Sequence, residues 1–244
     1  MQYHVSASAT DVALDALERI LQVVSSSKRP AIALPTGKTP MPLYEQMALL
    51  SNDVKASLAA VNWFALDEFL CKDIDHESSF RYFLESRFLR TVNLPPSALC
   101  SLSAVTDAPD VEAKAYEERI AAAGGLDLAV LGIGLNGHIG FNEPGTPLDS
   151  RTGVRQLTEK SRKANAYLFG DDLDRTPTSA ITMGIGTIMS ARRIILLATG
   201  QSKVPAIASL LSLQSVTPDF PASVLLDHPD AHILCDRAAM GLEV

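Results

Sequence analysis

Apolar residues fall along the chain in two alternating patterns. The first is a helical stripe. Val12, Leu14, Leu17, Ile20, Leu21 and Val24 recur at three- and four-residue spacing behind Thr10 and Asp11, which suit a helix cap. The second is the short unbroken run: residues 31–34, 61–66, 128–131, 193–198 and 231–235 each read as a strand buried on both sides. Between these runs the spacing predicts helices over 40–50, with Pro40 and Pro42 in the first turn, and over 78–90, with Phe80, Phe83, Leu84 and Phe88 on one side. It also predicts helices over 111–123, which Gly124 and Gly125 end, over 158–169, and from the TGQSK segment to 213. Residues 181–189 are assigned to a helix interrupted by Gly184 and Gly186, 152–157 to an extended segment and 223–226 to a short helix.

Continuous apolar strands separated by helices indicate an α/β fold, a parallel sheet covered on both faces. No repeat, low-complexity tract or composition break marks a linker, so one domain over 1–244 is expected. In such sheets ligands bind beyond the carboxyl ends of the strands. Four polar groups directly follow strands: 36–39, Asp67 with Glu68, 134–143, and 199–203. All four are expected at one edge, around a single site.

The central stretch, LDLAVLGIGLNGHIGFNEPG, places Asn136, His138, Asn142 and Glu143 just beyond a buried strand, where polar groups are costly without a use. Gly132, Gly134 and Gly137 fit the dinucleotide fingerprint G-x-G-x-x-G, but Gly140, Pro144 and Gly145 interrupt the helix that the fingerprint must open. PTGKT at 35–39 has the end of a Walker A loop, yet Ile32 stands where its first glycine belongs and Pro40 removes an N–H. A helix start after a strand still binds anions, with Thr36, Gly37, Lys38 and Thr39 as the candidate groups. Spacing alone leaves several roles open. Lys38 is a phosphate contact or a solvated lysine. Asp67 is a cap or a general base. His138 is a core histidine or a proton shuttle. Arg162 and Lys203 are surface charges or phosphate ligands, and Lys160 and Lys163 read as surface charges.

Composition narrows the function. With 28 acidic and 21 basic residues the net charge is −7, against a nucleic-acid partner. The cysteines, Cys71, Cys100 and Cys235, lack C-x-x-C spacing, and the histidines lack metal-ligand spacing, so no metal site or disulfide framework is expected. The opening MQYHVSASATD has no signal-peptide pattern, and no apolar run is long enough to span a bilayer; a cytoplasmic protein is the expectation.

GIGLNGHIGFNEPG resembles the signature of the glucosamine-6-phosphate deaminases, in the sugar-phosphate isomerase and 6-phosphogluconolactonase superfamily. ALPTGKTP, FALDEF, LTEKSRKAN, TGQSKVPAI and the ending LLDHPDAHILCDRAA extend the likeness over nearly the whole chain. Where this chain has Lys38, the family commonly has glycine or serine. The resemblance implies a Rossmann-like fold and conversion of D-glucosamine 6-phosphate and water to D-fructose 6-phosphate and ammonia, without cofactor or metal. It implies Asp67 as the base for enolisation, Asn136, His138 and Glu143 in ring opening, and Arg162 and Lys203 on the phosphate. The motif differs from the small-residue, Leu-Phe-Pro continuation of the lactonases, and the ten residues before the first helix leave no room for the DNA-binding element of sugar-phosphate sensors. Long members are hexamers with a C-terminal extension, activated by N-acetylglucosamine 6-phosphate; this sequence ends at Val244, so a non-allosteric monomer is expected.

Overall fold

The computed structural model of the chain describes residues 1–71 and 76–242; Val244 lies outside the described residues. In chain order the elements are β1 (Gln2–Ser6), α1 (Ala9–Ser26), β2 (Ala31–Leu34), α2 (Met41–Ala48), α3 (Asn52–Ser57), β3 (Asn62–Ala65), β4 (Asp67–Leu70), α4 (Phe80–Arg87) and β5 (Leu99–Cys100). There follow α5 (Pro109–Ala122), β6 (Leu128–Gly132), β7 (Gly153–Gln156), α6 (Glu159–Asn165), β8 (Ser179–Thr182), α7 (Ile185–Met189), β9 (Arg193–Ala198), α8 (Val204–Ser212) and β10 (Ala231–Asp236).

Seven strands form a parallel sheet in the order β1-β10-β9-β6-β2-β3-β5. Successive side chains in a strand point to opposite faces, and here both faces are buried. Ala31, Ala33, Ala129, Leu131, Ile194 and Leu196 pack with α5, α7 and α8. Ile32, Leu34, Leu128, Val130, Ile195 and Leu197 pack with α1, α2 and α4. This is the parallel sheet covered on both faces that the unbroken apolar runs predicted, and the Rossmann-like arrangement that the family resemblance implied.

Three features depart from the sequence reading. The run 61–66 is not one strand that stops at the site. The strand stops at Ala65, and after Leu66 the chain enters a second sheet, β4-β8-β7, antiparallel, in which Asp67 pairs with Thr182. The segment 181–189 is not one helix: Ile181 and Thr182 belong to β8, and only residues 185–189 are helical. Close approach explains the break, since a Cβ on Gly184 would lie 2.1 Å from the carbonyl oxygen of Ser150. The two edge strands, β1 at one side and β5 at the other, carry no apolar run of their own. Among the described residues no helix is long and apolar enough to cross a membrane.

Glu117 of α5 ties the two sheets together. Its carboxylate accepts the N–H of Thr152 at 2.9 Å and the hydroxyls of Thr152 and Thr187 at 2.5 Å each, and it pairs with Arg151. Glu117→Ala leaves these donors unmet and is expected to lower unfolding free energy by about 2–3 kcal/mol, read as a reduced midpoint in urea denaturation.

Candidate active site

One cavity of about 240 Å³ opens beyond the carboxyl ends of β2 and β6. Segments after four strands meet there: 35–40 after β2, Asp67 after β3, 132–141 after β6, and Lys203 after β9.

The segment carrying Thr36, Gly37, Lys38 and Thr39 lies between buried β2 and the start of α2, where free N–H groups and the helix dipole favour an anion. From inside α2 the Tyr44 hydroxyl donates to Pro35 O at 2.5 Å and fixes this segment to the helix. Lys38 lines the cavity from an exposed position, its Nζ 5.0 Å from the centre of the Tyr167 ring, a cation–π contact just beyond α6. Lys203 donates from Nζ to Ile133 O at 2.7 Å, and burial lowers its pKa.

His138 sits against the turn that begins at Gly134, so closely that a Cβ there would lie 2.2 Å from the ring carbon Cε1. Its Nδ1 is 2.7 Å from Asn136 Oδ1, while Asn136 Nδ2 donates to Glu143 Oε2 at 2.7 Å. The second bond fixes the amide: its oxygen must face the imidazole. His138 therefore carries its proton on Nδ1 and leaves Nε2 bare when neutral. Glu143 is held in turn by the hydroxyls of Thr158, at 3.1 Å, and Ser161. Burial lowers the His138 pKa; Glu143, whose Oε2 is 3.7 Å from Nδ1, opposes this, and Lys203 and Lys160 add to it. The ring is thus neutral at pH 7, with a free lone pair at a cavity wall.

Asp67 is 7% exposed, and among the described residues its carboxylate has no hydrogen-bond or ion-pair partner. Burial, with the neighbouring Glu68 charge, raises its pKa to about 8. Space around it is kept by Gly140, at φ +57°, where a Cβ would lie 2.8 Å from Thr182 Oγ1 and 3.5 Å from Asp67 Oδ2. A desolvated carboxyl with high proton affinity is suited to taking and returning a proton.

Asp67, Asn136, His138, Thr36, Gly37, Lys38, Thr39 and Lys203 all line the cavity; Glu143 stands behind His138 and Asn136. Arg162 does not join them. Its guanidinium donates from Nε and Nη2 to Thr176 O, at 3.2 and 2.9 Å, and from Nη2 to Leu173 O, bracing the segment before β8. Lys160, read from sequence as a surface charge, lines the cavity instead. Helix phase is the reason: positions two apart lie on opposite sides, and the cavity-facing stripe of α6 is Lys160, Ser161, Ala164 and Asn165. That stripe was open to reading from spacing; the Ser161 and Thr158 bonds to Glu143 carry no such signal. Lys163 does pair at the surface, with Glu159 at 2.5 Å. His228 and His232 serve packing, through Ala191 O at 2.8 Å and Asp230 at 2.7 Å.

Comparison with known proteins gives a consistent picture. Residues 4–234 match the family model described as glucosamine-6-phosphate isomerases/6-phosphogluconolactonase. Glucosamine-6-phosphate deaminase 2 of Giardia intestinalis is 40% identical over 97% of this chain and 89% of its own length. The glucosamine-6-phosphate deaminase of Bacillus pumilus is 40% identical over 93% of this chain and 94% of its own. Among solved structures, a monomeric glucosamine-6-phosphate deaminase superposes with a TM-score of 0.93 at 35% identity, covering 100% of both chains. The 6-phosphogluconolactonase of Leishmania guyanensis, with a TM-score of 0.76 and 21% identity over 98% of this chain and 97% of its own, shares the fold.

The neutral Asn136 makes a prediction about His138. Asn136→Asp puts a negative charge beside Nδ1, which favours the imidazolium. The His138 titration is expected to move up by about one pH unit or more, as followed by NMR of the imidazole.

Proposed function

The chain belongs to the family of glucosamine-6-phosphate isomerases and 6-phosphogluconolactonases, and we propose that within it this protein is the deaminase, converting D-glucosamine 6-phosphate and water to D-fructose 6-phosphate and ammonia. The observation that carries this reading is the pairing, on one cavity, of a buried carboxyl that has no partner among the described residues with an imidazole of fixed tautomer, in a chain 40% identical to deaminases over nearly its full length.

The substrate's phosphate lies at the 36–39 segment, held by Thr36, Thr39 and the N–H groups at Gly37 and the helix start, with Lys38, Lys160 and Lys203 supplying positive charge. Arg162 is left to its structural bonds. His138 Nε2 takes the proton of the anomeric hydroxyl and returns it to the ring oxygen, breaking the C1–O5 bond and opening the sugar. Asn136 and Glu143 hold the ring and stabilise the transient imidazolium. Asp67 then removes the proton from C2 of the open aldose while the substrate's own C2 ammonium gives a proton to O1, giving a neutral enolamine with a C1=C2 double bond. It delivers the proton to C1, so that C1 becomes CH2OH and C2 an iminium. Water adds to C2, and ammonia leaves as the C2 ketone forms. Each proton returns to the substrate, so the sequence balances without an oxidant or reductant.

A monomer is part of this reading, supported by the likeness to a monomeric deaminase. Light scattering is expected to give a solution mass near the 26.1 kDa of one chain, with hyperbolic kinetics that N-acetylglucosamine 6-phosphate does not alter. A hexamer or a sigmoidal curve overturns that part alone.

The decisive assay supplies glucosamine 6-phosphate, galactosamine 6-phosphate and 6-phosphogluconolactone in parallel. Equal amounts of ammonia and fructose 6-phosphate from the glucosamine ester are expected, with little turnover of the others; lactone hydrolysis without ammonia overturns the reading. In the same assay Asp67→Asn is expected to bind substrate while losing about 10³-fold or more of both product release and solvent-proton exchange at the sugar carbon.

A further inference from the structure

Glu68 lies one residue beyond the proton-transferring carboxyl and is more deeply buried, at 1% exposure against 7%. Adjacent strand residues point to opposite faces. Asp67 lines the cavity, whereas Glu68 turns to the start of α4. There its Oε1 accepts the N–H groups of Phe69 and Phe80, and its Oε2 accepts that of Arg81, all at 2.9 Å. With Ser79 Oγ accepting the N–H of Tyr82 at 3.1 Å, the first turn of α4 is capped in full, mainly by a side chain reaching in from another sheet. Three N–H donors converge on this carboxylate, each of which favours its charged form. Asp67 has the opposite environment: buried, with no donor among the described residues.

We propose that Glu68 is a positioning residue for Asp67: its clamp on α4 fixes where β4 starts and hence where Asp67 points, and its charge keeps the neighbouring carboxylate a strong base. The two adjacent carboxyls are a divided pair, one anion satisfied by backbone dipoles and the other left with high proton affinity. Phe80, whose N–H belongs to the clamp, also lines the cavity and stacks on Phe141 at 5.7 Å, so the same bonds set one wall of the site. Among the described residues the other titratable groups around the pair are Arg81 of α4, itself paired with Glu85 at 2.8 Å, Glu112 of α5, which shares a cavity with Glu68, and Tyr116 of α5, whose hydroxyl donates to Ala65 O at 2.6 Å. On the cavity side stand His138, Lys38, Lys160 and Lys203. Of these, Arg81 favours the charged form of Glu68; burial nevertheless pushes Glu68 up to about 7, against the pull of its three N–H bonds.

The test is the titration of the Asp67 side-chain carbon, by 13C NMR of the ligand-free full chain, with the resonance assigned through Asp67→Asn. In the wild type the midpoint is expected near 8, with a second, smaller step as Glu68 titrates near 7. Glu68→Gln removes the charge while keeping the chain length, and the Asp67 midpoint is expected to fall by about one pH unit. The limb of the pH–kcat profile on which activity rises with pH should move to lower pH with it, while the plateau drops several-fold and KM stays within about twofold. Glu68→Asp keeps the charge but withdraws it from the clamp: kcat falls and the Asp67 midpoint holds. An unmoved midpoint in folded Glu68→Gln overturns the proposal. So does a single-step titration in the wild type, which needs no variant to fold. The kinetic arm rests on the reading of Asp67 as the base, but the titration arm does not. A deaminase assay that fails beside a two-step titration condemns the function reading alone.

Discussion

Leu66 is the residue from which the two sheets hang. Its N–H donates to Leu34 O at 3.2 Å, its link to the parallel sheet, and its carbonyl accepts the N–H of Met183 at 2.8 Å, at the end of β8. Within one residue the chain passes from a sheet covered by helices to a small antiparallel sheet standing beyond its carboxyl edge. A buried backbone group left unpaired at such a junction would cost as much as a lost hydrogen bond, so both bonds must form for the turn to exist. Asp67 is the next residue, and its burial, its isolation from donors and its place on the cavity all follow from that junction.

The opposite wall is organised by a chain of polar contacts: Thr158 and Ser161 to Glu143, Glu143 to Asn136, Asn136 to His138. Each partner leaves the next one orientation, and the end result is the position of a single proton on the imidazole. This chain also joins the start of α6 to the turn after β6. The helix that presents Lys160 to the cavity is therefore held by the same carboxylate that orients the histidine. Beneath both walls, Phe69, Phe80, Phe141 and Phe169 form a separate apolar cluster that fills the space between the small sheet and α4.

Much of this was legible in the residues. Unbroken apolar runs located the five inner strands of the parallel sheet, because a strand buried on both faces has no room for polar alternation. The convergence of 36–39, Asp67, 134–143 and Lys203 followed from the rule that parallel strands present their carboxyl ends to one side. What escaped was non-local. β4 and β8 are four residues each, and the pairing that makes β4 a strand reaches across more than a hundred positions to β8. Arg162 was assigned to the phosphate through the family resemblance, whereas the phase of α6 turns Lys160 to the cavity and Arg162 to the carbonyls of Leu173 and Thr176. Glu68 showed in the sequence only as the neighbour of Asp67; two of its three N–H partners, Phe80 and Arg81, lie in α4, which sequence alone does not bring beside it.

The junction at Leu66 also divides labour in a way that bears on how such a site diversifies. The 36–39 segment, Lys203 and the imidazole hang from the parallel sheet, whereas the Asp67 carboxyl belongs to the small one. A shift in the pairing of β4 with β8 would therefore move one reacting group relative to the rest and leave the anion seat untouched. A lineage carrying this architecture could retain one handle for its ligands and retune the chemistry performed on them by altering a twelve-residue sheet.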